Sequence, residues 1–172
     1  EVRPLRQMTG EAEFNEVFFT DTRIHESEML GQPGDGWRVS LTTLMNERQS
    51  IGGSIPQRGS GTIANLMKEW ADAPAWKKDD ATRDEVMKLW IRAEVLRLTN
   101  IRANNNRKMG DPGPEGSISK MAGANLNKDI YEALVNLMGA DALLYGSYEM
   151  VRPEHAMEYA TPQKAFLRSR AN

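Results

Sequence analysis

From Trp37 onward the apolar residues recur at the spacing of a helix face, and this periodicity constrains the fold more than any other feature of the chain. Trp37, Leu41, Leu44, Met45, Arg48, Ile51 and Ile55 fall near one side of a cylinder with 3.6 residues per turn, and Ile63, Leu66, Met67 and Trp70 resume the pattern. A long first helix is predicted, kinked or broken near Gly52 and Gly53 because Pro56 removes an amide donor. Thr82 with Glu85 three residues on has the form of a capping box and opens a second helix through Val86, Leu89, Trp90, Ala93, Leu96, Leu98 and Ile101. After the turn Gly110-Asp111-Pro112-Gly113-Pro114-Glu115-Gly116, a third runs from Ile118 through Ile130, Leu134 and Leu137 and stops at Gly139. Thr161-Pro162 supplies an N-cap and a first-turn proline for a fourth, with Phe166 and Leu167 facing inward.

The first 35 residues read differently. Up to Ile24 the residues are β-branched and aromatic with polar alternation, namely Val2, Leu5, Phe14, Val17, Phe18, Phe19 and Ile24, with a turn at Thr9-Gly10. The stretch from Gly31 to Gly36, with Pro33 inside it, holds no regular element. The expected architecture is therefore mainly α: an antiparallel four-helix bundle over residues 36–172, preceded over residues 1–35 by the last strands of a β domain. The chain opens without Met inside a strand-like stretch, which reads as a piece of a longer protein.

Composition removes several chemistries. With no cysteine there is no thiolate nucleophile, iron–sulfur cluster or cysteine-rich zinc site, and a reducing, cytoplasmic compartment is expected. His25 and His155 lie far apart at no ligand spacing, so no metal is expected. A net charge of −2 built from interspersed charges offers no basic face for nucleic acid. No apolar run reaches the roughly 20 residues that span a bilayer, so membrane insertion is not expected. Gly59-Ser60-Gly61 followed by Ala64 imitates part of a dinucleotide fingerprint, but no strand-like run precedes it. Asp79, Asp80 and Asp84 suit a helix N-terminus, where carboxylates meet the positive end of the macrodipole.

Glu47-Arg48 is a charged pair at the margin of an apolar helix face. Two readings stay open on the residues alone. One is a structural ion pair; the other is a general base whose carboxylate, partly desolvated and so made more basic, is tuned back by the neighbouring cation.

The residues also carry a resemblance. Arg3-Pro4-Leu5-Arg6-Gln7-Met8-Thr9-Gly10, Phe14-Asn15-Glu16-Val17-Phe18-Phe19 and Gly36-Trp37 closely resemble the end of the middle β domain of acyl-CoA dehydrogenases. The likeness continues through Leu44-Met45-Asn46-Glu47-Arg48, Gly113-Pro114-Glu115-Gly116-Ser117 and Phe166-Leu167-Arg168-Ser169-Arg170. The resemblance implies FAD-dependent α,β-dehydrogenation of an acyl-CoA thioester, with Glu47 as catalytic base and Arg48 as a substrate-binding residue beside the thioester. It further implies cofactor contacts at Asn136 and Gly139, a homo- or heterotetramer, and reoxidation by electron-transferring flavoprotein. Straight fatty acyl and bulky steroid side-chain thioesters both suit it.

Two departures concern the cofactor. An arginine that in many homotetrameric relatives reaches the flavin pyrophosphate of a neighbouring subunit is missing from Lys68-Glu69-Trp70-Ala71-Asp72-Ala73-Pro74. The family's glutamine and paired glycines are altered to Asn136-Leu137-Met138-Gly139-Ala140. A retained Glu47 beside lost pyrophosphate contacts implies a subunit of the heterotetrameric bacterial type, whose partner completes the flavin site. The strands that cradle the flavin ring would lie upstream of Glu1, so tight FAD binding by this chain alone is not expected. The alternatives are a non-catalytic structural or partner subunit and a related flavin oxidase.

Overall fold

The computed structural model describes residues 1–51, 55–110, 113–147, 149–151 and 161–171, the side chains of 48–51 excepted. In chain order these form β1 (Val2–Leu5), β2 (Phe14–Val17), α1 (Gly36–Ile51), α2 (Thr62–Asp72), α3 (Asp80–Lys108), α4 (Glu115–Met138) and α5 (Pro162–Ser169). Short 3₁₀ turns lie at Glu26–Glu28, Ala75–Lys77 and Gly139–Leu143. The protein is mainly helical, as the periodicity predicts.

β1 and β2 pair antiparallel, with Val2 opposite Val17 and Leu5 opposite Phe14. The reversal at Thr9-Gly10 forms as expected: Gly10 has φ 81°, a region open to glycine, and its N–H donates to Gln7 O at 3.0 Å. Strand structure stops at Val17, short of Ile24, and every residue of both strands is exposed. Aromatic and β-branched composition makes a strand only where a partner supplies the ladder, and past Phe18 none does.

The core lies where α2, α3 and α4 meet. Leu66, Val86, Ile130 and Leu134 are fully buried there, joined by Ile63, Leu89, Leu126, Ala133 and Leu137. Each buried Leu or Ile contributes roughly 1.5–3 kcal/mol against exposure. The register of α3 on α4 is antiparallel. Arg92 pairs with Asp129 at 2.7 Å, Leu96 lies against Gly123, and Asn106 donates to Glu115 Oε1 at 3.0 Å, so positions rising along α3 meet positions falling along α4.

Helix boundaries follow local chemistry, with two corrections. α3 begins earlier than the Thr82–Glu85 capping box predicts. Its N-cap is Asp79, whose Oδ1 accepts from the Thr82 N–H at 2.7 Å; a carboxylate outcompetes a hydroxyl for those free amides. α4 opens at Glu115, ahead of Ile118, and ends at Gly139 with φ 67°, a C-terminal stop that glycine supplies at little steric cost. α5 is capped as predicted, Thr161 Oγ1 accepting from the Lys164 N–H at 3.2 Å with Pro162 next. Its most buried residues are Ala165 and Ser169, while Phe166 and Leu167 are half-buried. α5 packs on α4, and Phe166 lies under the Arg170 guanidinium, 4.1 Å from the ring centroid.

The largest difference concerns α1. The expected four-helix bundle is not closed: α2, α3, α4 and α5 pack in sequence, whereas no described side chain of α1 is buried. Trp37 is 78% exposed, and Leu41, Leu44 and Met45 are also exposed. Periodicity specifies that a helix forms and which side of it is apolar; it does not specify the surface on which that side rests. The predicted kink falls at residues 52–54, outside the described residues.

Candidate active site and cofactor contacts

Glu47 lies one turn before the end of α1 and is exposed. The Arg48 side chain lies outside the described residues. The proposed base therefore sits on a helix that the rest of the fold does not bury, and Glu47 is not among the residues lining the main cavity.

That cavity, about 510 Å³, is formed where the end of α4 meets the start of α3. Asn136 and Gly139 both line it, so the structure brings these two predicted cofactor contacts together. Its floor is apolar and well packed, made by Val86, Ala133 and Leu137. Its polar groups are Asp79, Thr82, Glu85, Asn136, Asp141 and Lys77, and the exposed indole of Trp76 stands at its edge.

Lys77 closes the end of α4. Its ammonium donates to Leu137 O and to Met138 O, the latter at 3.3 Å, satisfying carbonyls left without helical partners at the negative end of the helix. It also lies 5.1 Å from the Trp76 ring centroid. Neither Lys77 nor Asp141 carried a signal in the sequence. The Lys77–Leu137 contact spans 60 positions and is not marked by any local pattern.

Asp79 is held below the usual aspartate range by the backbone amide of Thr82 and then by its hydroxyl. Because the folded value is depressed, the stabilisation it contributes is fully present above the unfolded aspartate value and is lost as pH falls through the folded one. Asp79→Asn keeps an N-cap and removes the titration. Wild type is expected to melt above the variant at neutral pH, with the gap in thermal midpoint, followed by circular dichroism, closing on acidification. A gap independent of pH would exclude this role. Asp79 caps α3 and Asp80 lies in its first turn, as expected, whereas Asp84 lies a turn further in and pairs with Lys88.

Other predicted features resolve simply. Gly59-Ser60-Gly61 is coil leading into α2, and Ser60 Oγ donates to Gln57 O at 2.8 Å; no strand precedes it among residues 55–61. His25 Nδ1 accepts from the Ser27 N–H at 3.2 Å and caps a 3₁₀ turn, while His155 lies outside the described residues. Among the described residues no cluster of three or more His, Asp or Glu is placed to hold a metal, and no helix is long and apolar enough to cross a membrane.

The comparisons with known proteins bear out the family resemblance. The family model described as "Acyl-CoA dehydrogenase, C-terminal domain" matches residues 34–168. The chain belongs to the acyl-CoA dehydrogenase family, within its carboxy-terminal domain. It is 32% identical over 145 residues to Acyl-CoA dehydrogenase IpdE1 of Mycolicibacterium smegmatis, covering 83% of this chain and 35% of that protein. Against Acyl-CoA dehydrogenase IpdE1 of Mycobacterium tuberculosis it is 33% identical over 141 residues, covering 81% and 36%. Against Acyl-CoA dehydrogenase FadE34 of the same organism it is 31% identical over 147 residues, covering 84% and 20%. The chain thus spans about a third of the length of the first two relatives. No solved structure matches it.

Proposed function

We propose that this chain is part of an FAD-dependent acyl-CoA dehydrogenase in which Glu47 is the base that removes the α-proton of an acyl-CoA thioester. The observation that carries the reading is Glu47-Arg48 on α1, within a match to the family's carboxy-terminal domain that covers residues 34–168. Arg48 is assigned to the thioester and Asn136 and Gly139 to the cofactor. FAD, when bound, supplies the acceptor for the β-hydrogen, which leaves as hydride. A carboxylate is competent for the proton step when it is positioned and its basicity raised, and both require shielding from water.

Shielding comes from closing the bundle. The exposed stripe of α1, Trp37 with Leu41, Leu44 and Met45, is matched by a second exposed apolar line on α3, Ile91, Val95 and Leu98, at i, i+4 and i+7. Docking one on the other adds α1 to the packed helices α2–α5 and carries Glu47 from water to a partly apolar setting. The assembly is read as a tetramer, with a second kind of subunit supplying the phosphate contact absent at residues 68–74, and electron-transferring flavoprotein reoxidising the flavin.

The test is a visible spectrum of the complete protein, expressed with its paralogous partner, before and after addition of an acyl-CoA. A flavin band that bleaches with substrate is expected. A colourless preparation, alone and with the partner, would replace this reading with that of a structural subunit.

A further inference from the structure

Arg58 holds the turn that precedes α2 against the side of α3. Its guanidinium carbon lies 5.0 Å from the centre of the Trp90 ring, and its Nε lies 3.7 Å from Glu94 Oε1. Arg97 fixes that carboxylate with two hydrogen bonds, at 2.9 and 2.7 Å, so Arg58 meets an anion already held in place. The turn is closed on itself: the Ser60 N–H and Oγ both donate to Gln57 O, and Gly59 has φ 71°, which glycine adopts at little cost. Pro56 and Gly59 face Trp90 and Ala93 across a narrow cleft.

The place of this clamp bears on α1. Trp90, Glu94 and Arg97 stand at i, i+4 and i+7 on α3, and the exposed Ile91, Val95 and Leu98 each follow one of them, so the clamped turn runs beside the apolar line. Six residues, Gly52 to Gln57, separate Arg58 from the end of α1 at Ile51. Seven peptide steps reach at most about 25 Å. A tether of that length keeps a segment at millimolar effective concentration, about a thousandfold above a second copy of the chain present at micromolar concentration. We propose that Arg58 is a positioning residue, which pins the Glu47 end of α1 beside the apolar line of α3 so that this line takes the α1 of its own chain. The inference rests on the docked arrangement proposed above and adds what holds it in place. Without the clamp the next fixed residue is Ile63, at 4% exposure, and the tether grows from seven steps to twelve. The probability that such a tether closes falls with the 3/2 power of its length, about twofold here.

The 172-residue chain has no cysteine, so an introduced pair reports docking directly. Leu44→Cys, on the apolar stripe of α1, is combined in turn with Ile91→Cys, Val95→Cys and Leu98→Cys. A disulfide needs Cα atoms within about 7 Å, so the bond forms only on a docked helix. Under mild oxidation at least one pair is expected to close within a single chain, at a rate independent of protein concentration. Adding Arg58→Ala to that pair should slow closure about twofold and leave the thermal midpoint unchanged, because the Arg58 side chain is 65% exposed. Arg58→Lys, which keeps a cation over the Trp90 ring, should restore most of the rate. Crosslinked dimers in place of the intrachain product, silence in all three pairs, or closure as fast with Arg58→Ala as without it would overturn the inference.

The two readings separate cleanly, since the crosslink needs neither flavin nor substrate. Closure that depends on Arg58, together with a colourless complete protein, would sink the flavin reading and leave the clamp. A yellow complete protein bleached by an acyl-CoA, with closure indifferent to Arg58, would do the opposite.

Discussion

Glu47→Gln in the complete protein is expected to lower the rate of flavin reduction by an acyl-CoA by about 10²–10⁴-fold while leaving the flavin content unchanged. Glutamine keeps the length and shape of the side chain and removes the basic oxygen, so a selective loss isolates proton abstraction from binding. Stopped-flow bleaching of the flavin band under single-turnover conditions reads the step directly. Reduction at the wild-type rate would remove Glu47 from the reaction. Loss of flavin along with activity would instead assign it to assembly. The prediction depends on α1 being docked, since Glu47 is exposed on that helix and proton abstraction needs the carboxylate held against the substrate. Leu44→Asp, one turn before Glu47 on the apolar stripe, provides the control. It should weaken docking and slow the same step without touching the carboxylate.

How much of this was readable in the sequence depends on the range over which each residue acts. Helix identities and ends were legible because their causes are local: the Thr161-Pro162 start of α5 and the Gly139 stop of α4 each require only neighbours along the chain. The start of α3 was misplaced by a short distance because Asp79 and Thr82 both qualify as caps, and only the folded backbone shows which oxygen the amide chooses. The cavity was half legible. Asn136 and Gly139 were reached through resemblance, while Lys77, Trp76 and Asp141, which set its charge and one wall, come from separate segments that carry no shared pattern. The stripe of α1 is legible as apolar, whereas the surface that covers it is not, since amphipathicity records a preference whose satisfaction depends on another surface.

The joint between the β hairpin and α5 was invisible in the sequence and supports the second large prediction. Glu11 is 5% exposed and forms an ion pair with Lys164; Glu13 Oε2 lies 3.1 Å from Arg168 Nε. These four side chains sit two apart after β1 and four apart on α5, so each strand-side carboxylate meets one turn of the helix. Arg168 also covers Phe14 at 5.4 Å from its ring centroid, and Tyr145 donates to Thr9 O at 2.8 Å. The side chains of Glu11 and Lys164 retain only 6% and 13% exposure, too little for solvent to screen the pair as it would a surface bridge. Lys164→Met should therefore destabilise the protein by about 3–5 kcal/mol, most of it the penalty of a carboxylate left buried without a counter-charge. Among the described residues Glu11 Oε2 has no hydrogen-bond partner. Adding Glu11→Leu to Lys164→Met should recover most of the loss, because an apolar pair fills the space without desolvating charge. Urea unfolding followed by circular dichroism measures both. A single variant within about 1 kcal/mol of wild type would mean that water reaches the pair. A double variant no better than the single would show that the loss comes from packing of the Lys164 stem and not from the orphaned charge.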